Sequence, residues 1–214
     1  MRTGKQWATI LMACGCDTVV ANNWAPVFVA TVKPTTFSAG DADIADFLGN
    51  VLHESGMLKR FEENLMYSSP QRLMAVWPTR FKTVQAAQPY VNNPKALANL
   101  VYGGRGGNYL PDDGWTFRGR GPIQITFRGN YERIGKLVGQ DLTSVPDLAA
   151  QPHFGLEICI AWWEDKIPDS MLGETTAIRQ RVNGGTLGLD DVKLITGRAK
   201  AALAANPGFN PNDL

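Results

Sequence analysis

The sequence predicts a mainly α-helical protein with little or no sheet, and three observations carry that expectation. Apolar residues recur at three- and four-residue spacings through most of the chain, the mark of helices with one buried face. Strand signals are thin; "PIQIT" at 122–126 is the best of them, and it is short. The chain has 214 residues, 44% of them apolar, enough to bury a sizeable core in one domain. That single domain is expected to run over 1–214, with 66–114 as a candidate smaller lobe.

The elements follow in order. "MRTGKQWATILMACGC" begins with basic residues and an apolar run, which mimics a short export signal or a lipoprotein site at Cys14. The run spans only Trp7 to Cys14, is interrupted by Thr9, and has no A-x-A pattern after it. Trp7, Ile10, Leu11 and Cys14 fall on one helical face, so this segment reads as a first amphipathic helix. In "DADIADFLGNVLHE", residues 41–54, the face is Ile44, Phe47, Leu48, Val51 and Leu52. Asp41, Asp43 and Asp46 crowd the first turns, where the helix dipole favours negative charge, and Gly56 supplies a stop. Further helices are expected at 70–77, 94–102, 130–138 and 154–165, and near 174–182 and 190–204. An irregular loop is expected between Tyr102 and Trp115, bracketed by Gly106-Gly107 and Pro111-Asp112-Asp113-Gly114.

Bulk composition excludes several classes. The net charge of +1 gives no global pull toward nucleic acid or an anionic membrane. No apolar run approaches the roughly 18 residues of a membrane span. Three cysteines, Cys14, Cys16 and Cys159, are too few for a disulfide scaffold and fit a chain made in a reducing compartment. Structural zinc is not expected, since a zinc site needs four ligands and the chain has only two histidines. Charge is nonetheless uneven: 114–130 carries Arg118, Arg120 and Arg128 with no acid, a local basic strip.

Familiar catalytic patterns fail one by one. "HESGM" opens like the zinc-protease H-E-x-x-H, but residue 57 is Met. No G-x-S-x-G occurs, and "GGRGG" at 103–107 lacks the G-K-[ST] ending of a phosphate loop. What remains is a pair of acids. Glu54 lies three residues after Val51, at the C-terminal end of its helix, where the dipole disfavours a carboxylate. Glu63 follows nine residues later, beside Asn64. Glycosidic hydrolysis needs one carboxylic acid to protonate the leaving oxygen and one carboxylate for water or sugar, and a helix end and its following loop can supply both across a cleft. The spacing alone is weak evidence for such a pair.

Several short segments together carry more. "HESG", "ENLMYS", "DGWTFRGRGPIQIT", "RGNY" and "VNGG" resemble, in order, the motifs of family 19 glycoside hydrolases, which include lysozyme-like chitinases and many phage endolysins. The likeness extends from about Trp24 to Gly185, and "GRGPIQIT" is its most specific run. It implies a lysozyme-like, two-lobed helical fold with a cleft. By the same likeness Glu54 matches the general acid, Glu63 the general base, and Thr126 the hydroxyl that helps hold the attacking water. Gln124, Asn130 and Asn183 match polar residues of the sugar groove. Arg181, two residues before Asn183, is a candidate to orient Glu63 or else a plain surface arginine. Tyr67 either stacks on a sugar or fills core. Glu62 reads as a solvated neighbour. One departure stands out: endolysin-type members commonly read "ENLNYS", and Met66 here replaces that Asn.

The implied chemistry is inverting and needs no cofactor or metal. Glu54, on an apolar helix and away from cations, is expected to be kept protonated by desolvation; Glu63, in a wetter loop, is expected to be ionised. Their carboxyls are expected roughly 6.5–9.5 Å apart, leaving room for water. The expected substrate is the glycan strand of bacterial peptidoglycan, cut at β-1,4 bonds between N-acetylated amino sugars by a monomeric endolysin made in the host cytoplasm. The lack of disulfide-forming cysteines and of a convincing export signal favours that reading, and the basic strip suits a polymer bearing peptide carboxylates. A chitinase acting on β-1,4 N-acetylglucosamine polymers is the alternative, and a catalytically inactive sugar-binding protein is a further one.

Overall fold

A computed structural model describes residues 1–208; the last six positions of the expected 1–214 domain lie outside the described residues. Among the described residues there are eleven α-helices and no sheet, only isolated bridges joining Glu62 to Arg120 and Arg120 to Ile125. The helices are α1 (Gly4–Cys14), α2 (Thr18–Thr31), α3 (Asp41–Glu54), α4 (Pro70–Val76), α5 (Val84–Ala87) and α6 (Pro94–Tyr102). They continue with α7 (Asp113–Thr116), α8 (Arg128–Val138), α9 (Pro152–Lys166), α10 (Thr175–Asn183) and α11 (Leu189–Ala205).

The chain forms two compact units. The first comprises Met1–Phe61, Gly121–Gln124 and, among the described residues, those from Asp147 onward. The second comprises Glu62–Arg120 and Ile125–Pro146, and residues 66–114 fall inside it.

The first unit is built around α3. Helix α1 starts with a capping box, in which Thr3 and Gln6 exchange side-chain and backbone hydrogen bonds. Its expected face of Trp7, Ile10, Leu11 and Cys14 is buried. These residues meet Phe28 of α2, Phe47 and Leu48 of α3, and Trp163 of α9 in one continuous core. Helix α2 is not announced by the sequence, because apolar residues surround it and Pro26 sits in its interior, where a proline removes a backbone hydrogen bond.

The acids of α3 do more than answer the dipole. Asp43 and Asp46 are buried. Asp43 accepts from Trp163 Nε1 at 2.5 Å, and Asp46 accepts from the Gly173 N–H at 2.7 Å. Both tie the start of α3 to distant chain, a buried carboxylate being tolerable only when it is hydrogen-bonded.

The second unit packs Leu65, Leu73, Phe81, Leu97, Ala98 and Val101 together. The strand expected at 122–126 is not formed. Gly121 has a positive φ of 77°, Pro122 follows it, and the Gln124 N–H donates back to the Gly121 carbonyl at 3.0 Å, which is a β-turn with proline in its preferred second position. Gln124 itself has φ 54°, so the run is bent rather than extended.

Candidate active site residues

In the first unit, Glu54 is the last residue of α3. Its Oε1 accepts from Arg179 Nη1 of α10 at 2.5 Å, and the guanidinium is almost fully buried while the Glu54 side chain is 27% exposed. The sequence expectation of an acid away from cations is therefore wrong. The cation comes from 125 positions along the chain, beyond the reach of any local pattern. Arg179 is fixed in turn, its Nε donating to the Leu187 carbonyl at 2.8 Å. Next to Glu54, His53 Nδ1 lies 2.6 Å from Asp191 Oδ2.

Asn183 ends α10, and its Nδ2 donates to the same Leu187 carbonyl at 3.2 Å. It thus shares an acceptor with the arginine that holds Glu54. Arg181 does something else: it is exposed, and its Nε donates to the Lys166 carbonyl at 3.0 Å. Helix spacing explains the difference. Arg179 is four residues before Asn183 and lies on its face, whereas Arg181, two residues away, points elsewhere. That spacing was the available signal for Arg179, and the sequence reading missed it. Gln124 Nε2 caps its own turn by donating to the Gly121 carbonyl at 2.9 Å.

In the second unit, the Glu63 backbone N–H donates to the Gly119 carbonyl at 2.9 Å, setting the segment beside the glycine-arginine run. Glu63 Oε1 accepts from the Tyr102 hydroxyl at 2.5 Å, and Oε2 lies 3.4 Å from the Gly119 N–H. Burial pushes the Tyr102 phenol well above its ordinary range, and the hydrogen bond to Glu63 and its charge push it further. Tyr67 is also raised, first by burial and then by the charge of Glu63. Its ring meets Trp77 edge to face at 5.2 Å and is half-buried, so one part of it fills core and the other faces solvent. No local pattern in the sequence pointed to Tyr102.

Thr126 is half-buried and directly precedes Phe127, whose φ of 76° is rare outside glycine. The Thr126 carbonyl accepts from Asn130 Nδ2 at 2.8 Å, so Asn130 braces the turn that carries the hydroxyl. Because 122–126 is not a strand, the aim of Thr126 is set by this bent backbone and not by an extended one.

The basic strip is no open patch. Arg118 donates to Glu62 Oε2 at 2.5 Å and lies over the Trp115 ring at 4.0 Å. Arg120 is buried and donates to the Thr116 carbonyl at 2.6 Å. Arg128 forks onto the Asp113 carboxylate at 2.6 and 3.1 Å, and that hydrogen-bonded guanidinium holds the Asp113 carboxyl below the usual carboxylate range. The three arginines brace loops. Glu62, expected to be merely solvated, is the exposed partner in one of those braces.

A helical chain, without sheet among the described residues and with two acids in dissimilar, individually supported settings, has what a glycoside hydrolase needs. More narrowly, the chain belongs to glycoside hydrolase family 19. A protein of Haemophilus influenzae described as a glycosyl hydrolase family 19 domain-containing protein is 34% identical over 149 residues, 69% of this chain and 73% of that one. The family model for class I chitinases matches residues 85–170. Acidic endochitinase Q of Nicotiana tabacum is 51% identical over 58 residues, but these are only 25% of this chain and 23% of the tobacco protein.

Among solved structures, a bacterial family 19 chitinase matches with TM-score 0.54 and 20% identity, over 97% of both chains. Chitinase C from Streptomyces griseus HUT6037 matches with TM-score 0.52 and 16% identity, over 97% of this chain and 95% of that one. At such identities these two show the fold alone, which is the lysozyme-like, mainly helical one.

Proposed function

We propose that this glycoside hydrolase is an endolysin that cuts the β-1,4 bonds of peptidoglycan glycan strands by an inverting mechanism. Glu54 is the acid and Glu63 the base. The observation that carries the assignment is that Glu54 and Glu63 are each half-buried with one oxygen held by a dedicated donor, Arg179 on Glu54 and Tyr102 on Glu63, whereas Glu62, though paired with Arg118, is exposed. With Oε1 of Glu54 held by the guanidinium, Oε2 gives its proton to the leaving glycosidic oxygen. Glu63 takes a proton from the water that attacks the anomeric carbon, and Thr126 aims that water. Gln124, Asn183 and Tyr67 are proposed to contact sugar hydroxyl and N-acetyl groups, the amides as donors and acceptors and the ring by stacking.

Three free, buried cysteines support peptidoglycan over chitin. Burial raises the thiol of Cys14 to about 12 and that of Cys16 to about 11, so they are inert packing groups suited to synthesis in a reducing bacterial cytoplasm before release to the wall. The internally paired arginines no longer favour either polymer. A chitinase is the second reading, favoured by the endochitinases among the relatives.

Digestion of purified peptidoglycan and of chitin hexamers, followed by mass spectrometry of the products, separates the two substrates. Glu54→Gln and Glu63→Gln are each expected to slow turnover by about 100-fold or more, since each removes proton transfer with little change of volume. Near wild-type turnover in either variant removes that residue from the mechanism. Because Glu54→Gln alters the hydrogen-bond partner of the buried Arg179 guanidinium, its activity is to be compared at temperatures where circular dichroism shows it folded.

A further inference from the structure

We propose that Tyr102 is the positioning residue of the base. Its hydroxyl fixes Glu63 Oε1 and leaves Oε2 as the oxygen that receives the proton from water. This rests on the assignment of Glu63 as base.

Tyr102 is the last residue of α6, where a side chain would ordinarily fray with the final turn. Here the Tyr102 carbonyl accepts from Nδ2 of Asn108, a fully buried side chain, at 3.1 Å, and Asn108 Oδ1 accepts from the Arg128 N–H at 2.8 Å. The helix end is thereby tied to the start of α8.

The ring is fixed as well. Tyr102 and Phe127 pack edge to face, with centroids 5.6 Å apart and planes at 87°. Phe127 is also packed closely on Gly106, where an added Cβ would lie 2.5 Å from the Phe127 ring. Phe127 is also the residue after Thr126. One ring therefore indexes both the phenol on the base and the segment that carries the water-holding hydroxyl.

The contact itself is of the right kind. A phenol donating to a carboxylate at 2.5 Å is a charge-assisted hydrogen bond, shorter and stronger than a neutral one. It immobilises one oxygen and so fixes the plane of the carboxyl group. Burial, the hydrogen bond to Glu63 and the charge of that carboxylate all favour the protonated, donating form of the phenol. The Gly119 N–H, 3.4 Å from Oε2, makes only a long contact there and leaves that oxygen able to accept from water.

The test compares Tyr102→Phe, Glu63→Gln and the double variant on purified peptidoglycan and chitin hexamers, with KM, kcat and the thermal midpoint measured for each. Phe keeps the ring packed against Phe127 and removes only the donor. The expected result is a kcat loss of about 10- to 100-fold from the loosened base, with KM and the thermal midpoint unchanged. In the Glu63→Gln background the same substitution should cost nothing further, since no base is left to position.

A Tyr102→Phe variant with wild-type kcat overturns the proposal. So does a loss that multiplies undiminished onto Glu63→Gln, or one in which KM and the thermal midpoint shift with kcat, because a purely structural role gives those results. Should Tyr102→Phe fail to fold, a ring-fluorinated tyrosine at 102 keeps ring and hydroxyl while strengthening the donor. A change in kcat alone then supports the proposal, and an unchanged kcat overturns it. High activity in Glu63→Gln sinks the base assignment itself. An inactive Glu63→Gln beside a fully active Tyr102→Phe sinks only the role of the tyrosine.

Discussion

At residue scale, Thr126 shows how much depends on one hydroxyl. Its backbone is set by the Asn130 amide on its carbonyl and by the left-handed Phe127 that follows. A β-branched side chain has few rotamers there, so fixing the backbone largely fixes the oxygen. Thr126→Ser is expected to stay active because the hydroxyl survives. Thr126→Val, of nearly the same shape, is expected to lose roughly 10- to 1000-fold in kcat, the scale seen when one positioned donor is removed. Turnover of the two variants at matched thermal stability decides the matter: an active Val and an impaired Ser would make Thr126 a packing residue. Met66, the departure from the endolysin-type motif, is 55% exposed, and its thioether can offer no amide contact there; neither glutamate depends on it.

At the scale of elements, α3 matters most because Glu54 is its last residue. Its placement relies on close contact with α11. A Cβ added at Gly49 would lie 1.9 Å from Thr196 Oγ1 and 3.2 Å from the Val192 carbonyl, so the two helices approach more closely than any side chain at 49 allows. Gly49→Ala ordinarily gains helix propensity, yet here the clash is expected to win and to cost about 1–3 kcal/mol by overpacking. Urea denaturation measures it. A stabilised Gly49→Ala would mean that the two helices separate freely and that the contact does not fix the position of Glu54.

Stability against pH belongs to the whole molecule. In the first unit, Asp43 of α3, Glu164 of α9, Ser38 and Asp169 converge: Ser38 Oγ donates to Asp169 at 2.6 Å and to Asp43 at 3.3 Å, and the Ser38 N–H donates to Glu164 at 3.2 Å. Burial, and then the Asp43 carboxylate against it, push Glu164 up to about 6 from an ordinary 4.5. A carboxyl raised on folding binds its proton more tightly in the native state. Its contribution is fully present below the unfolded value and is lost as pH rises through about 6. The wild type is therefore expected to lose stability relative to Glu164→Gln between those two values. Thermal midpoints of both proteins across that range test this; a constant difference at every pH would show that Glu164 does not titrate with folding.

What the sequence alone determined is whatever local order can encode. The apolar period announced α1, α3 and most later helices, and the run 119–126 with the two glutamates announced the family. A tight β-turn was legible at Gly121-Pro122, yet the apolar alternation of "PIQIT" was read as a strand, because period alone does not distinguish a buried turn from a short extended run. Tertiary structure decided the surroundings of the acids. Arg179 meets Glu54 across 125 positions and Tyr102 meets Glu63 across 39, and the arginines of the basic strip find acids or carbonyls instead of solvent. Local sequence sets the conformation of each segment, but which donor reaches a given carboxylate depends on how the helices pack, and that is settled only when the cores close.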